Sequence, residues 1–557
     1  MVNASLKAGA RPASPSTAAA HLTQDRRRGL ERGGRTISTN GRGDPSAARD
    51  RALRWLLLAL WIGVAGFLAV RHVVWRDEMR ALTLALSGEN VAAMLRAIHG
   101  EGHPAIWYLL LRGAHTLVPV REVLPVAGWL SAAAAAALFV WKAPFRPPTL
   151  ALILFGAFFV FEFAAIARNY GIGMLALFAV AAAYPRYRDR GIVVGLLLAL
   201  LCNTNVPCCL LAAMMLGFWL VELVAEEGLA WTRAKRLFLV NAAVATAGAA
   251  LCFATVFPTV HDAAVIDRPG GIGAAAVLRA LLVPAPSFWD LASPLAPNSN
   301  LAAALFGMVM FGSLLGLVRA PAAFLSALAA LLAFELFFQL VYPGYYRHQA
   351  IYLCYLVAMY WLVARGRGGR WPARWRVEER FARTAPLGEG LFHLLLALQV
   401  ATTLSLLATD LRGYPYSRAR DLAAFLKREK LDGAVLIMEP DMFAEAIPYY
   451  LPEMPIYQMR SQRFGKIVRF TRAVRHALTP DDYLADGRRL RATTGRPVVI
   501  AIQHRLRTDR PGRWMELNSW YFSTTPDQVR RFQAGARKIA DFGETVSDET
   551  YEVYLIP

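Results

Sequence analysis

Long apolar runs recur along the chain between Trp55 and Ala408, and short polar segments separate them. Most runs hold about 14–22 residues, close to the length with which an α-helix crosses a hydrocarbon core of roughly 30 Å. The pattern predicts a polytopic α-helical membrane protein with about eleven transmembrane helices. The predicted spans lie at about 55–74, 123–141, 149–163, 170–184, 192–205, 208–224, 237–257, 301–318, 322–341, 350–364 and 390–408.

The loop 75–122, between the first two spans, contains two shorter apolar segments. Residues 90–99 carry an amphipathic stripe, and residues 104–118 form an apolar run of only about 15 residues. Both segments predict helices that lie in the membrane interface rather than cross the bilayer. The stripe consists of Val91, Met94, Leu95 and Ile98 at helical spacing.

The two ends of the chain differ from the apolar centre at 51–408. Residues 1–50 are rich in Ala, Ser, Gly and Arg and lack apolar periodicity, which predicts a disordered tail. In residues 409–557, strand-like segments such as 497–504 and 551–556 alternate with charged helical stretches. That alternation predicts a small C-terminal α/β domain with a largely parallel sheet.

Composition and charge fit a membrane chain. Hydrophobic residues make up 56% of the sequence, and the mean hydropathy is +0.35. The net charge of +21 is compatible with nucleic-acid binding, but the basic residues cluster between the apolar runs, as the positive-inside rule describes. We therefore expect no nucleic-acid partner. The clusters at 186–190, 232–236 and 365–380 predict a cytoplasmic N-terminus, an extracytoplasmic loop 75–122 and an extracytoplasmic C-terminal domain.

Four groups of polar side chains lie at span ends on the predicted extracytoplasmic side. Ionisable groups are unfavourable at the end of a membrane span, so by default they mark a functional site. The groups are Asp77 and Glu78 with Glu101 and His103; Arg168, Asn169 and Tyr170, preceded by Glu162; His261, Asp262, Asp267, Arg268 and Trp289 in the loop 258–300; and Tyr345, Tyr346, Arg347 and His348.

These residue types suit a sugar transfer from a lipid phosphate. An Asp can take the proton from an acceptor hydroxyl. Arg and His can hold and stabilise a departing phosphate through charge-assisted hydrogen bonds. The spans can hold a long apolar tail. A sugar carried on a polyprenyl phosphate requires all three.

Three motifs resemble GT-C glycosyltransferases, in particular the bacterial branch grouped with protein O-mannosyltransferases and aminoarabinose transferases. They are WRDE at Trp75, EGHPAIWYLLLR at Glu101 and AIARNYGIGML at Ala165, within a resemblance that covers about residues 51–365. Two departures stand out: Ala105 replaces the second proline of the family's HPP, and AIARNY lacks the family's first Arg-Glu pair.

The resemblance implies an inverting hexosyl or pentosyl transferase of the bacterial inner membrane. Its donor would be a polyprenyl-phosphate sugar, its acceptor an envelope glycan, lipid or protein outside the cytoplasm, and membrane lipids its surroundings. The family's catalytic acid corresponds to Asp77, with Glu78 beside it. We expect no cofactor, and no metal because a DxD motif is absent after the third span. The predicted substrate-binding residues are Glu101, His103, Arg168, Tyr170, Tyr346, Arg347 and His348.

Other functions and ordinary structural roles compete with this prediction. A transporter or flippase of lipid-linked sugars would need broken helices near the midplane, in corresponding halves, whereas the polar groups here gather at one face. A third possibility is a scaffold whose α/β domain binds a partner. Asp77 is also able to pair simply with Arg76 or Arg80, and Arg347 and His348 to bind bulk lipid headgroups.

Overall fold

The computed structural model describes residues 45–257, 273–275, 277–278, 287–296, 299–373, 376–381, 383–516 and 520–557. The chain divides into two compact units, Met1–Ala52 and Leu53–Pro557, and the second contains both the membrane helices and the strands. Most of the predicted tail lies outside the described residues. So do His261, Asp262, Asp267 and Arg268 of the predicted loop.

The described part of the chain up to Leu411 is helical. Its helices are α1 (Pro45–Arg71), α2 (Arg76–Ala85), α3 (Val91–Ala97), α4 (Ile106–Leu117), α5 (Val123–Lys142), α6 (Pro147–Leu154), α7 (Tyr170–Tyr187), α8 (Val193–Cys202), α9 (Val206–Glu227), α10 (Arg233–Val256), α11 (Asn300–Ser313), α12 (Pro321–Leu340), α13 (Tyr346–Ala364), α14 (Val377–Arg380) and α15 (Thr384–Leu411).

Within the described residues, seven helices are long and apolar enough to cross a membrane: α1, α5, α9, α10, α11 with the following turn Leu314–Leu317, α12 and α15. The prediction of a polytopic helical membrane protein is confirmed, whereas the count of eleven is not. The other four predicted spans form α6, α7, α8 and α13. Helix α6 stops after eight residues, before a π-helical turn at Phe158–Glu162, and α8 has only ten residues, about 15 Å of helix.

The loop between α1 and α5 folds into three short helices, α2, α3 and α4. Helix α3 has seven residues and α4 has twelve, so neither is long enough to cross a bilayer, as the sequence predicts. Their apolar faces pack into a cluster separate from the main core, which includes Leu82, Met94, Ile98, Trp107 and Leu111. The cluster holds α2 against the other two short helices of the loop.

Helix α13 lies at the centre of the helical part. Fifteen of its nineteen residues are buried, from Arg347 at its first turn to Leu362 near its end. A helix that is buried on all sides must be apolar on all sides apart from residues with polar partners. The polar residues of α13 are concentrated in its first turn, which therefore marks one end of the helical part as a site.

The strands follow α16 (Ala419–Arg428) and alternate with further helices. They are β1 (Val435–Glu439), β2 (Tyr457–Gln458), β3 (Arg463–Phe464), β4 (Ala477–Leu478), β5 (Val498–Ile502), β6 (Gly512–Glu516), β7 (Trp520–Thr524), β8 (Arg537–Phe542) and β9 (Tyr551–Ile556), and the helices are α17 (Ile447–Tyr450), α18 (Pro480–Thr494) and α19 (Pro526–Gly535). The predicted α/β character is confirmed.

The largest sheet has the order β1-β5-β9-β8. Only β1 and β5 run parallel, because β9 pairs antiparallel with both β5 and β8. The prediction of a largely parallel sheet is therefore wrong for this sheet. The sequence shows strands that alternate with helices, but it does not show that the last strand, β9, inserts between β5 and β8.

Close helix packing suggests a first test. A methyl group added at Gly248 on α10 would lie 2.5 Å from Cα of Ala199 on α8, whereas one added at Gly217 on α9 meets nothing within 4 Å. Small residues at helix crossings allow this approach in membranes. We expect Gly248→Ala to lower the free energy of unfolding by about 1–3 kcal/mol. Thermal unfolding in detergent measures it, and a Tm equal to that of Gly217→Ala would contradict the packing.

Candidate active site at the N-terminal ends of three helices

Helix α2 begins immediately before Asp77 and places this carboxylate in its first turn. The start of the helix is fixed by Glu78, whose Oε2 accepts a hydrogen bond of 3.2 Å from the backbone N–H of Trp75. Unpaired backbone N–H groups give the N-terminal turn of a helix a partial positive charge, which favours a carboxylate there.

The Asp77 carboxylate lies between two arginines that come from distant parts of the chain. Its Oδ2 is 3.1 Å from Nη1 of Arg168 and 3.2 Å from Nη1 of Arg347. The Nη1 of Arg168 also donates to the backbone carbonyl of Asp77, at 2.9 Å. Since the Asp77 side chain remains 34% exposed while both arginines are about 10% exposed, the carboxylate is the open member of this cluster.

The arginines also decide the charge state of Asp77. Burial alone would raise the pKa of this carboxyl, but the positive charges of Arg168 and Arg347 outweigh burial and hold the pKa well below its usual range. In the structure as it stands, Asp77 is ionised and a weak base. A general base works best with a pKa near the operating pH.

His103 completes the ion cluster as a neutral ring. Its Nε2 lies 2.9 Å from Nη2 of Arg168, and because a guanidinium can only donate, this ring nitrogen is the acceptor. Burial, reinforced by the charge of Arg168, lowers the pKa of His103 to about 3. His103 therefore orients Arg168 without adding charge.

Helix α13 supplies Arg347 and His348 from its first turn. The Arg347 guanidinium lies over the Trp75 ring at 5.0 Å, and its Nε is 3.4 Å from Oε1 of Glu162. His348 accepts on Nδ1 from the backbone N–H of Tyr345 at 3.1 Å, which caps the helix and leaves Nε2 as the ring's donor position.

Tyr170 begins α7 on the other side of the cluster. Its ring meets the His348 ring edge-on at 5.6 Å and stacks on Phe163 at 5.7 Å. The side chain is 1% exposed, and its hydroxyl has no hydrogen-bond partner within the described part of the chain. An unpaired buried hydroxyl is unfavourable by about 1–3 kcal/mol, so it indicates a polar group that the site receives from outside.

Glu78 has a different environment from Asp77. It is fully buried, and its two oxygens accept from Nε2 of His72 at 2.7 Å, from the backbone N–H of Ala167 at 2.6 Å and from Trp75. These bonds tie α2 to the segment that carries Arg168. A carboxylate with this many donors has no face for a substrate, so its contacts favour a positioning role over the catalytic role predicted for it.

Two other predicted residues point elsewhere. Glu101 binds the Arg80 guanidinium through two oxygens, at 2.9 and 2.6 Å, and makes no recorded contact with Asp77. The Tyr346 hydroxyl donates to Oε1 of Gln399 on α15 at 2.6 Å. Their predicted substrate contacts stay predictions. The structure brings together Asp77, His103, Arg168, Tyr170, Arg347 and His348.

The sequence does not predict the partners of two groups near Asp77. Glu162 was noted only as a neighbour of Arg168, yet it pairs with Arg347. Arg76 was considered as a plain partner of Asp77, yet its Nε is 4.0 Å from Oδ1 of Asp77 while both its Nη atoms bind Asp548. The acidic first turn of α2 is readable from the sequence, but the pairing of Arg76 with Asp548 across 472 residues leaves no local signal.

A second arginine–carboxylate cluster lies at the opposite ends of α7 and α13. Glu222 is fully buried and accepts from Tyr184, Arg188 and Arg367, at 2.6, 2.5 and 2.9 Å, and from the backbone N–H of Gly368. Both oxygens of the Glu222 carboxylate are occupied by protein donors. The Asp77 side chain is 34% exposed whereas Glu222 is fully buried, so the Asp77 carboxylate is open to a ligand and the Glu222 carboxylate is not.

No group of three or more His, Cys, Asp or Glu side chains among the described residues has the arrangement of a metal site. The predicted absence of a metal and of a cofactor stays a prediction.

Comparison with known proteins gives similarity only at the level of fold. No known protein family matches the sequence, and no curated protein matches it. Two solved structures do: ArnT from Cupriavidus metallidurans in the apo state, at 14% identity and a TM-score of 0.44, and the same protein bound to undecaprenyl phosphate, at 13% and 0.42. Each alignment covers 90% of this chain and 97% of the other.

The fold and the site thus describe a multi-pass helical membrane protein with an α/β part and a half-buried ion cluster at the ends of three helices. At these values the similarity to ArnT does not indicate what this protein binds.

The low pKa of Asp77 gives a pH test. A depressed pKa stabilises the folded state fully above the unfolded value of about 4, and this stabilisation is lost as the pH falls toward the folded value. The Tm difference between wild type and Asp77→Asn should therefore stay constant from about pH 8 to pH 5 and shrink only below about pH 4. A difference that already shrinks between neutral pH and pH 5 would show that the arginines do not hold Asp77 ionised.

Proposed function

We propose that this protein is an inverting glycosyltransferase that moves a sugar from a polyprenyl-phosphate donor to an acceptor outside the cytoplasm. The observation that carries the proposal is the shared oxygen of the half-buried Asp77, which lies within 3.2 Å of both Arg168 and Arg347. A base and two phosphate-binding cations in direct contact are the groups that such a transfer needs.

We assign phosphate binding to Arg168, Arg347 and His348. Both guanidinium groups can bind phosphate oxygens in a bidentate manner, and Nε2 of His348 offers a further donor position. The first turns of α2, α7 and α13 meet here, and helix N-termini favour anions. The Tyr170 hydroxyl, unpaired in the described residues, supplies one more donor.

We assign the acceptance of the proton to Asp77. The acceptor hydroxyl attacks the sugar C1 from the face opposite the phosphate, so a new C1–O bond forms as the C1–O bond to phosphate breaks. The hydroxyl proton passes to the Asp77 carboxylate, and the electron pair of the broken bond leaves on the polyprenyl phosphate. One inversion at C1 results.

Donor binding would also activate the base. The phosphate and the Asp77 carboxylate compete for the same Nη1 atoms of Arg168 and Arg347. When phosphate oxygens take these donors, Asp77 loses the neighbours that depress its pKa, and its pKa rises toward the range in which it accepts a proton. The base becomes effective only when the donor is in place.

The remaining assignments follow from the loop charges and the motif resemblance. The site faces the outside of a bacterial inner membrane, the spans hold the donor's apolar tail, and a hexosyl or pentosyl group passes to an envelope glycan, lipid or protein. Glu101 and Tyr346 act at a distance, through Arg80 and Gln399.

Transfer in lipid discs tests the proposal. The purified protein would receive a panel of labelled polyprenyl-phosphate sugars with host envelope extract as acceptor, and the binding of sugar-free polyprenyl phosphate would be measured in parallel. A glycosylated product from one donor is expected. Absence of polyprenyl-phosphate binding would contradict the proposal, and donor that crosses the bilayer unchanged would favour a transporter instead.

Asp77→Asn gives the sharpest prediction. It should lower transfer by about 10²–10⁴-fold, because the proton acceptor is lost. It should also bind sugar-free polyprenyl phosphate more tightly than wild type, because the carboxylate that competes for both arginines is gone. The control is Asp189→Asn, an acid of the opposite helix ends that pairs with Arg188. Weaker or equal binding by Asp77→Asn would contradict the competition.

Arg347→Gln should weaken polyprenyl-phosphate binding by about 1.5–3 kcal/mol, the usual contribution of a hydrogen bond to a charged group. Arg365→Gln, which changes an exposed arginine that follows the other end of α13, is the matched control. Isothermal titration in discs measures both. Equal affinities of the two variants would show that Arg347 does not contact the phosphate.

A further inference from the structure

Helix α2 carries Asp77 between two arginines, Arg76 and Arg80, that are spaced one helical turn apart. Residues at i and i+4 lie on one face of a helix. Both side chains reach into the α/β part of the chain, so the helix that presents the candidate base is also the helix that the α/β part binds.

Arg76 is held by the loop between β8 and β9. Its Nη1 and Nη2 bind the two carboxylate oxygens of Asp548 at 2.7 and 2.9 Å, and its Nη1 lies 3.1 Å from Oε1 of Glu549. The backbone N–H of Arg76 donates to the same Glu549 oxygen at 3.2 Å. The guanidinium lies over the rings of Trp75 and Phe443, at 4.7 and 4.4 Å.

Arg80 is held in the same way one turn later. Its Nη1 lies 2.5 Å from Oε1 of Glu445, and both Nη atoms donate to the carbonyl of Val468 at 3.1 Å. Glu101 binds the other side of the guanidinium. Five donors of one arginine are thereby shared between its own loop and the α/β part.

The acids that hold the two arginines are themselves fixed. Glu549 is fully buried and accepts from the Ser417 hydroxyl. Glu445 accepts from the backbone N–H of Val468 at 2.7 Å. In addition, the Tyr450 hydroxyl donates to the carbonyl of Val74, just before α2, at 2.9 Å. The anchor is therefore a built interface rather than a chance surface contact.

From this geometry we infer that Asp548, Glu549 and Glu445 are positioning residues for the transfer step, so that the α/β part belongs to the catalytic unit. The inference rests on the proposed function. The acids fix the first turn of α2, and with it the Asp77 carboxylate, against Arg168 and Arg347. They also hold the Nη atoms of Arg76, whose Nε is only 4.0 Å from Asp77, away from that carboxylate.

This inference differs from the expectation that the α/β part serves as a separate partner-binding module. A module of that kind would leave α2 in place when its contacts are removed. Here removal frees two largely buried arginines beside the base. A freed Arg76 would pair with Asp77 and turn the carboxylate away from the position that the transfer needs.

The test compares the double variant Asp548→Asn, Glu549→Gln with wild type in lipid discs. Its matched control is Asp481→Asn, Asp527→Asn, which removes two carboxylates that pair with arginines on the surface of the same α/β part. We expect kcat to fall on the order of tenfold or more, because small misplacements of a catalytic group are enough for such losses. Affinity for polyprenyl phosphate should not fall, since Arg168 and Arg347 lie on other segments and a freed Arg76 would only draw the competing Asp77 carboxylate away from them.

Hydrogen exchange of residues 75–86 gives a readout that does not depend on turnover. Exchange should be faster in the double variant and unchanged in the control. Wild-type kcat or wild-type exchange in the folded double variant would overturn the inference. If that variant does not fold, Asp548→Asn alone, at a side chain 47% exposed, serves under the same criteria. A wild type that binds no polyprenyl phosphate would overturn the proposed function. Hydrogen exchange of residues 75–86 alone would then decide whether the acids anchor α2.

Discussion

The structure depends on one shared contact, in which a single carboxylate oxygen of Asp77 faces the guanidinium groups of Arg168 and Arg347. Two buried cations are unfavourable at the end of a helical bundle unless an anion compensates them. Asp77 provides that compensation in the resting protein. In the proposed reaction an incoming phosphate replaces it, so the charge balance of the site is preserved while the carboxylate is released to act as a base.

The residues around this contact have distinct structural roles. Glu78 ties α2 to the segment before α7, and neutral His103 orients Arg168 without altering the charge. The opposite ends of α7 and α13 are closed by Glu222, whose oxygens are fully occupied. The two carboxylates thus differ in burial: Glu222 is fully buried, whereas the Asp77 side chain is 34% exposed.

The sequence was sufficient for the features that depend on local pattern. Apolar runs predicted the long helices, and short runs predicted α3 and α4. The motifs around Asp77, His103 and Arg168 predicted residues that do meet in space. Other features depend on packing over long distances, which no local pattern encodes. The break after α6, the insertion of β9 into the sheet and the pairing of Arg76 with Asp548 are of this kind. Glu78 is a third case. It and Asp77 are adjacent acids that look alike in the sequence, and only the structure shows that Glu78 is fully buried while Asp77 is not.

The separation between Arg76 and its anchor has a consequence for the order of assembly. The two partners are 473 residues apart in the case of Glu549, so α2 enters the membrane region long before its anchor is synthesised. Chains fold from the N-terminus during synthesis, domain by domain. The loop with Asp77 therefore remains unanchored while the spans insert, and the site matures only when the β8–β9 loop docks. Under the proposed function, a chain whose C-terminal part is not yet synthesised would lack a fixed base, so docking of the β8–β9 loop would complete the site.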